Sequence, residues 1–207
     1  MIRARIGLFA IAAAACVAGV VGLDRTRLAL AKDTTRSIER GRTLATIGGC
    51  NDCHTPVKLD PSLGLPIPER ERLLSGHPEG APEPSTSLAG ADQAVIGPTF
   101  TSFRVPIGTV YSANLTPDPA TGLGAWNETL FIRTMRSGRH LGGGRPVLPP
   151  MPWQSVGQQS DADLKALFAY LKSLPPIRNA VPPPKVTTEA LDKLGRSYDM
   201  LLRAGPP

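Results

Sequence analysis

Apolar residues fall into four stretches of helical pattern, separated by long stretches with none. Between about Thr34 and Gly48, Ile38, Leu44 and Ile47 recur at spacings of six and three, with Gly41 on the same broad face. This predicts a first helix that ends at Gly48-Gly49. Glycine inside a helix costs about 1 kcal/mol relative to alanine. Gly41 therefore asks for a reason, and a close crossing with another helix supplies one. A second helix is expected from Asn127 to Ser137, with Leu130, Phe131, Thr134 and Met135 inward and Gly138 as its stop. The third is the clearest. Ser160 is a good N-cap, and Asp163 lies in the first turn, where negative charge complements the helix dipole. Leu164, Leu167, Phe168, Leu171 and Leu174 then repeat with the helical period until Pro175-Pro176. After a proline-rich linker, Ile177 to Lys185, residues Thr187 to Arg203 form a fourth, amphipathic helix.

Residues 55 to 124 are harder to read, because Pro56, Pro61, Pro66, Pro68, Pro78, Pro82, Pro84 and Pro98 bar any long helix. Phe100, Phe103, Val105, Ile107 and Val110 alternate loosely, which predicts one short β-hairpin between Phe100 and Tyr111. Glu79 to Asp92 reads as a surface loop, and Thr116-Pro117-Asp118-Pro119 as a rigid turn. Composition agrees: 21 glycines and 22 prolines in 207 residues promise long irregular connections without reaching low complexity.

Two arginines, Arg3 and Arg5, precede an uncharged run from Ile6 to Leu23. Residues 1–32 thus read as a signal peptide or membrane anchor. Three outcomes stay open: cleavage near Ala29-Leu30-Ala31, retention as an anchoring helix, or lipid attachment at Cys16. Each puts the remaining chain on the periplasmic side of an inner membrane. The net charge of +6 is concentrated in that segment, where Arg3, Arg5, Arg25, Arg27 and Lys32 face only Asp24. No basic run with interleaved aromatics remains, which argues against a nucleic-acid partner.

The chemistry sits in Cys50-Asn51-Asp52-Cys53-His54. Two cysteines three positions apart with a histidine directly after them are an attachment sequence for c-type haem. Both thiols must reach the vinyl groups on one porphyrin edge, and the next residue is then carried under the iron as proximal ligand. A redox CxxC needs a βαβ surround that the following prolines do not supply, and a structural zinc site needs four ligands. His77 and His140 have no such spacing to this motif. One CxxCH means one covalently bound haem c. Candidates for the second axial ligand are Met135, Met151, Met200, His77 and His140. Met135 reads as a core residue and Met200 lies in the tail. Met151 stands in Pro149-Pro150-Met151-Pro152-Trp153, where prolines lower the entropy lost when the loop closes, so it is preferred. His140 or an open site are the alternatives. Trp153 is expected to pack on the haem or cap its propionates, with Tyr111, Asn114, Arg145 and His140 as further propionate candidates.

Gly49 to Pro56, Asn114-Leu115-Thr116-Pro117-Asp118, Gly138-Arg139-His140 and Pro149 to Trp153 occur in that order. In this they resemble a class I bacterial c-type cytochrome of the mono/dihaem kind, similar to the cytochrome subunits of membrane-associated alcohol, aldehyde and gluconate dehydrogenases. The resemblance covers about residues 36 to 175 and carries over Cys50 and Cys53 as attachment sites, His54 as proximal ligand and Met151 as distal ligand. It implies an all-α cytochrome c fold: terminal helices crossing near a right angle, Phe168 or Tyr170 against Gly41, and long loops wrapped around the haem. Residues 34–176 form that domain and 177–207 a linker and helical tail. The expected function is transfer of single electrons in the periplasm, soluble or anchored to the inner membrane. Donors would be a dehydrogenase or a quinol-side protein, and the acceptor a terminal oxidase or another cytochrome. The other reading is a haem enzyme or gas sensor with an open distal site.

Overall fold

The computed structural model describes residue 27 and residues 30–84 and 92–205. Most of the expected signal or anchor segment, Cys16 included, lies outside the described residues, as do residues 85–91 of the expected surface loop. No helix among the described residues is long and apolar enough to cross a membrane.

Helix α1 (residues 30–47) buries Gly41 and Ala45, with Ile38 packed against the same core. Ile47 is 74 % exposed, contrary to the expected apolar face. The reason is angular: nine residues at about 100° each put Ile47 on the side of the helix opposite Ile38. Gly41 is indeed the crossing point. A β-carbon there would lie 1.9 Å from the main-chain oxygen of Ala166 and 2.7 Å from Cβ of Tyr170. Arg40 beside it reaches Asp163 at 2.8 Å. Of the two aromatic residues expected against Gly41, Tyr170 is the one that faces it. Phe168 instead stacks on Phe131, with ring centroids 5.2 Å apart.

A single turn, α2 (Cys50–His54), follows the break at Gly48-Gly49. Helix α3 (Glu128–Ser137) is capped by Asn127, whose side chain accepts from the Leu130 N–H at 2.8 Å, and it stops at Gly138 in the left-handed conformation. A short α4 (Trp153–Gly157) leads to α5 (Asp161–Ser173), capped by Ser160 as expected. Leu164, Leu167, Phe168 and Leu171 of α5 are buried with Ala45, Leu74, Leu123 and Phe131 in one core. Helix α6 (Thr188–Ala204) closes the chain, capped by Thr187.

The described residues are not purely helical. The expected hairpin is present as β4 (Ser102–Val105) and β5 (Gly108–Tyr111), but it is the middle of a four-stranded antiparallel sheet. Its outer strands are β3 (Val95–Ile96) and β6 (Lys185–Val186). A second hairpin pairs β1 (Val57–Asp60) with β2 (Leu65–Pro68). Its prolines are compatible with a two-stranded ribbon, where each strand has a free edge. The all-α expectation therefore holds for the core layer and not for the loops, since prolines that forbid helix still permit short edge strands.

The proline-rich segment after α5 is no free linker. Asn179 is 2 % exposed, and Lys185 and Val186 add β6 to the sheet opposite Thr109 and Gly108. Lys185 also pairs with Glu83 at 2.7 Å. Arg139 holds α6 through Asp199 at 2.8 Å and the Gly195 carbonyl at 3.0 Å.

Candidate functional site

Gly49, with φ of +64°, lets the chain reverse out of α1 and start the one-turn helix α2. In a helical turn, residues three apart share a face, so Cys50 and Cys53 present their thiols to the same side. Both are free thiols and partly buried, and burial pushes both above their ordinary pKa. His54 ends the turn and is buried. Its Nδ1 lies 2.8 Å from the main-chain oxygen of Ala113. A carbonyl only accepts, so Nδ1 carries the proton and Nε2 keeps its lone pair. Burial lowers the imidazole pKa, with the Ala113 hydrogen bond opposing it, so the neutral ring is favoured.

The surroundings of His54 are built by two segments running side by side. Leu74 O accepts from Leu115 N at 2.9 Å, and Ser112 O accepts from His77 N at 2.9 Å. Between these two bonds, Gly76 N donates to His54 O at 2.8 Å. Gly76 has φ of +77°, and a β-carbon there would lie 2.6 Å from the Ala113 carbonyl oxygen. Thr55 contributes its hydroxyl, which accepts from Leu74 N at 2.9 Å. Leu74 is fully buried with φ of +57°, a backbone state that costs a bulky residue roughly 1–3 kcal/mol. Sequence reasoning missed Ala113, Gly76 and Leu74. The only available signal was a glycine within Ser75-Gly76-His77.

The remaining candidates separate by environment. Met135 packs against the core, and Met200 is 64 % exposed on α6. Met151 is half-buried in the turn before α4, where its N–H meets Leu148 O at 3.2 Å and its carbonyl accepts from Trp153 N at 2.9 Å. His77 is fully buried, with Nδ1 3.0 Å from Thr101 Oγ1 and its ring 5.0 Å from that of Tyr111. His140 is half-buried and edge-on to Trp126 at 5.4 Å. Burial and, secondarily, Arg145 lower its pKa.

Trp153 is held by the protein itself. The protein alone already buries it to 2 % exposure, its ring lying against Gly138 and 4.8 Å from the ring of Tyr198. Two propionate candidates are likewise engaged elsewhere. Asn114 donates to Ile177 O at 2.8 Å and accepts from the Thr116 hydroxyl at 2.7 Å. Tyr111 donates to Glu83 at 2.8 Å, and burial together with that carboxylate pushes its pKa up to about 12. Arg145 differs from both: it is exposed, its guanidinium bonds the Pro146 carbonyl, and among the described residues it forms no ion pair. Burial lowers its pKa. Two open clefts of about 390 and 380 Å³ border α6, and neither is lined by Cys50, Cys53, His54 or Met151.

No family model matches the chain. Curated relatives do. A nicotinate dehydrogenase subunit of Pseudomonas putida is 34 % identical over 145 residues, covering 70 % of this chain and 9 % of that protein. The gluconate 2-dehydrogenase cytochrome c subunit of Pantoea cypripedii is 31 % identical over 145 residues, 69 % of this chain and 24 % of the relative. A diheme cytochrome c-type protein of Cereibacter sphaeroides is 26 % identical over 172 residues, 81 % and 48 % respectively. The chain belongs to the c-type cytochromes. These relatives are several-fold or at least twofold longer than the part this cytochrome matches, from 9 % to 48 % of their lengths. The residues present fit covalently attached haem on structural grounds of their own: two free thiols on one face, and a buried neutral imidazole with its donor nitrogen occupied.

Proposed function

We propose that this cytochrome carries one haem c and passes single electrons on the periplasmic side of the inner membrane. It would do so between a dehydrogenase or quinol-side donor and a terminal acceptor. The observation that carries this reading is the 2.8 Å contact of His54 Nδ1 with Ala113 O, at the end of the helical turn that holds two free thiols. Bound haem supplies a one-electron iron couple. Cys50 and Cys53 tether it, and His54 offers Nε2 in the tautomer that Ala113 selects. Met151 is the distal ligand. Its support is the placement of the other methionines, one in the core and one exposed on α6, and the short hydrogen-bonded turn that carries it. A thioether ligand from Met151 would raise the reduction potential of the bound iron and leave small molecules no free site on it. Nothing in this scheme asks the protein for a catalytic base or nucleophile.

Dehydrogenase partners follow from the relatives, several of which are named as dehydrogenase cytochrome subunits. Residues 1–32 would deliver the domain across the membrane or hold it there. The test is optical. Haem-loaded full chain should show a low-spin c-type spectrum with a weak sulfur-to-iron band when oxidised, and it should bind carbon monoxide poorly. A high-spin spectrum with tight carbon monoxide binding by the untreated protein would instead establish an open distal site, as in a haem enzyme or gas sensor.

A further inference from the structure

We propose that Asn179, in the segment after α5, is a positioning residue for the proximal ligand and tunes the potential of the iron. The inference rests on the haem reading above. Asn179 lies more than a hundred positions from the attachment motif and is 2 % exposed. Its side-chain amide donates to Ser75 O at 2.7 Å and to His77 O at 2.9 Å, the two carbonyls flanking Gly76. Its side-chain oxygen accepts from Glu79 N at 3.0 Å and from Arg72 Nη2 at 3.2 Å. The main-chain N–H of Asn179 donates to Thr121 Oγ1 at 3.0 Å.

Two residues earlier, Ile177 fastens the other side. Its carbonyl accepts from Asn114 Nδ2 at 2.8 Å, and its N–H donates to Thr116 Oγ1 at 3.1 Å. The segment 177–179 thus ties the Arg72–Glu79 stretch to the Asn114–Thr121 stretch. The carbonyl that holds His54 belongs to Ala113, at the edge of the second stretch, with Gly76 of the first pressed directly against it. Moving the stretches apart loosens the Nδ1–H···O bond without touching the imidazole. That bond makes the imidazole a stronger donor to iron and favours the ferric state. Loosening it favours the ferrous state.

The experiment compares haem-loaded full-length wild type with Asn179→Ala, by redox titration and by deuterium exchange of the His54 Nδ1 proton in nuclear magnetic resonance. Asn179→Ala should shift the ferric–ferrous equilibrium toward ferrous by up to about tenfold, which is 59 mV for one electron. Proton exchange should accelerate by about tenfold or more, as expected when an outer hydrogen-bonding partner of a metal ligand is lost. Ser160→Ala, which removes the α5 cap, serves as a control that lowers stability at a distance and should move neither quantity. If Asn179→Ala melts earlier but keeps the wild-type potential and exchange rate, Asn179 is merely structural and the proposal is overturned. Should Asn179→Ala fail to load haem, Asn179→Asp decides, since it keeps the volume but removes both donors. Wild type without covalent haem would sink the underlying reading first, which separates the two failures.

Discussion

The Tyr198 hydroxyl donates to the main-chain oxygen of Val147 at 2.6 Å, joining the last helix to the chain just ahead of Met151. The same ring lies against Trp153, two residues beyond Met151. Helix α6 therefore braces the methionine turn from behind, on both sides of Met151. Tyr198→Phe leaves a partly buried carbonyl unpaired and should cost about 1 kcal/mol. Tyr198→Ala, which also empties the contact with Trp153, should cost about 3 kcal/mol or more. Chemical denaturation of the haem-loaded protein measures both. The sulfur-to-iron band should weaken at a lower denaturant concentration than global unfolding in Tyr198→Ala, whereas coincident loss would show that α6 and the methionine turn are not coupled.

Met151→Ala should abolish the sulfur-to-iron band and admit carbon monoxide or cyanide to the iron. Met135→Leu and Met200→Leu should leave the band in place, because the first packs in the core and the second is 64 % exposed. Difference spectroscopy on the three variants distinguishes them, and retention of the band in Met151→Ala would reassign the distal ligand.

Gly41 admits no side chain, since a β-carbon would stand 1.9 Å from the Ala166 oxygen on the facing helix. Main chain cannot move aside as a flexible side chain can. Gly41→Ala should destabilise by about 2 kcal/mol or more, the cost of overpacking at a rigid contact. Urea unfolding checks this, and an unchanged midpoint would mean that α1 does not dock on α5 in solution.

His77 gives the protein an acid-sensitive element. It is fully buried, and burial lowers its pKa from the ordinary 6.5 against the opposing influence of nearby Glu83. In the unfolded chain the imidazole takes up a proton near pH 6.5, while the folded chain resists until lower pH. The unfolded state then binds more protons, so stability is full above about pH 6.5 and declines as the pH falls through that window. His77→Gln should flatten this slope without removing it, because His140 is shifted in the same direction. Melting temperatures measured between about pH 5 and pH 7 test the sign.

The helices were legible because their signals are local. Asn127, Ser160 and Thr187 each cap the helix expected after them, and the α5 leucines repeat at its period. Ile47 misleads because its spacing from Leu44 suits a helix face, whereas its angle from Ile38 does not. In the site, Cys50, Cys53 and His54 stand out by spacing alone, because their pattern is contiguous in sequence. What supports them does not. Ala113 acts through a carbonyl that every residue owns, and Asn179 through bonds to main chain a hundred positions away. Neither has a periodicity. The same holds for β6, two residues long, whose pairing with Gly108 depends on a missing side chain in the partner strand.

Pro175-Pro176 looks like a natural place to cut when grafting this module onto an enzyme. A graft ending there would keep α1 through α5 with Cys50, Cys53, His54 and Met151, yet abandon the amide clasp that keeps Ser75 and His77 beside Ala113. Engineers who want a portable electron relay should carry the chain onward at least through Val186, so that the sheet and the clasp travel with the metal.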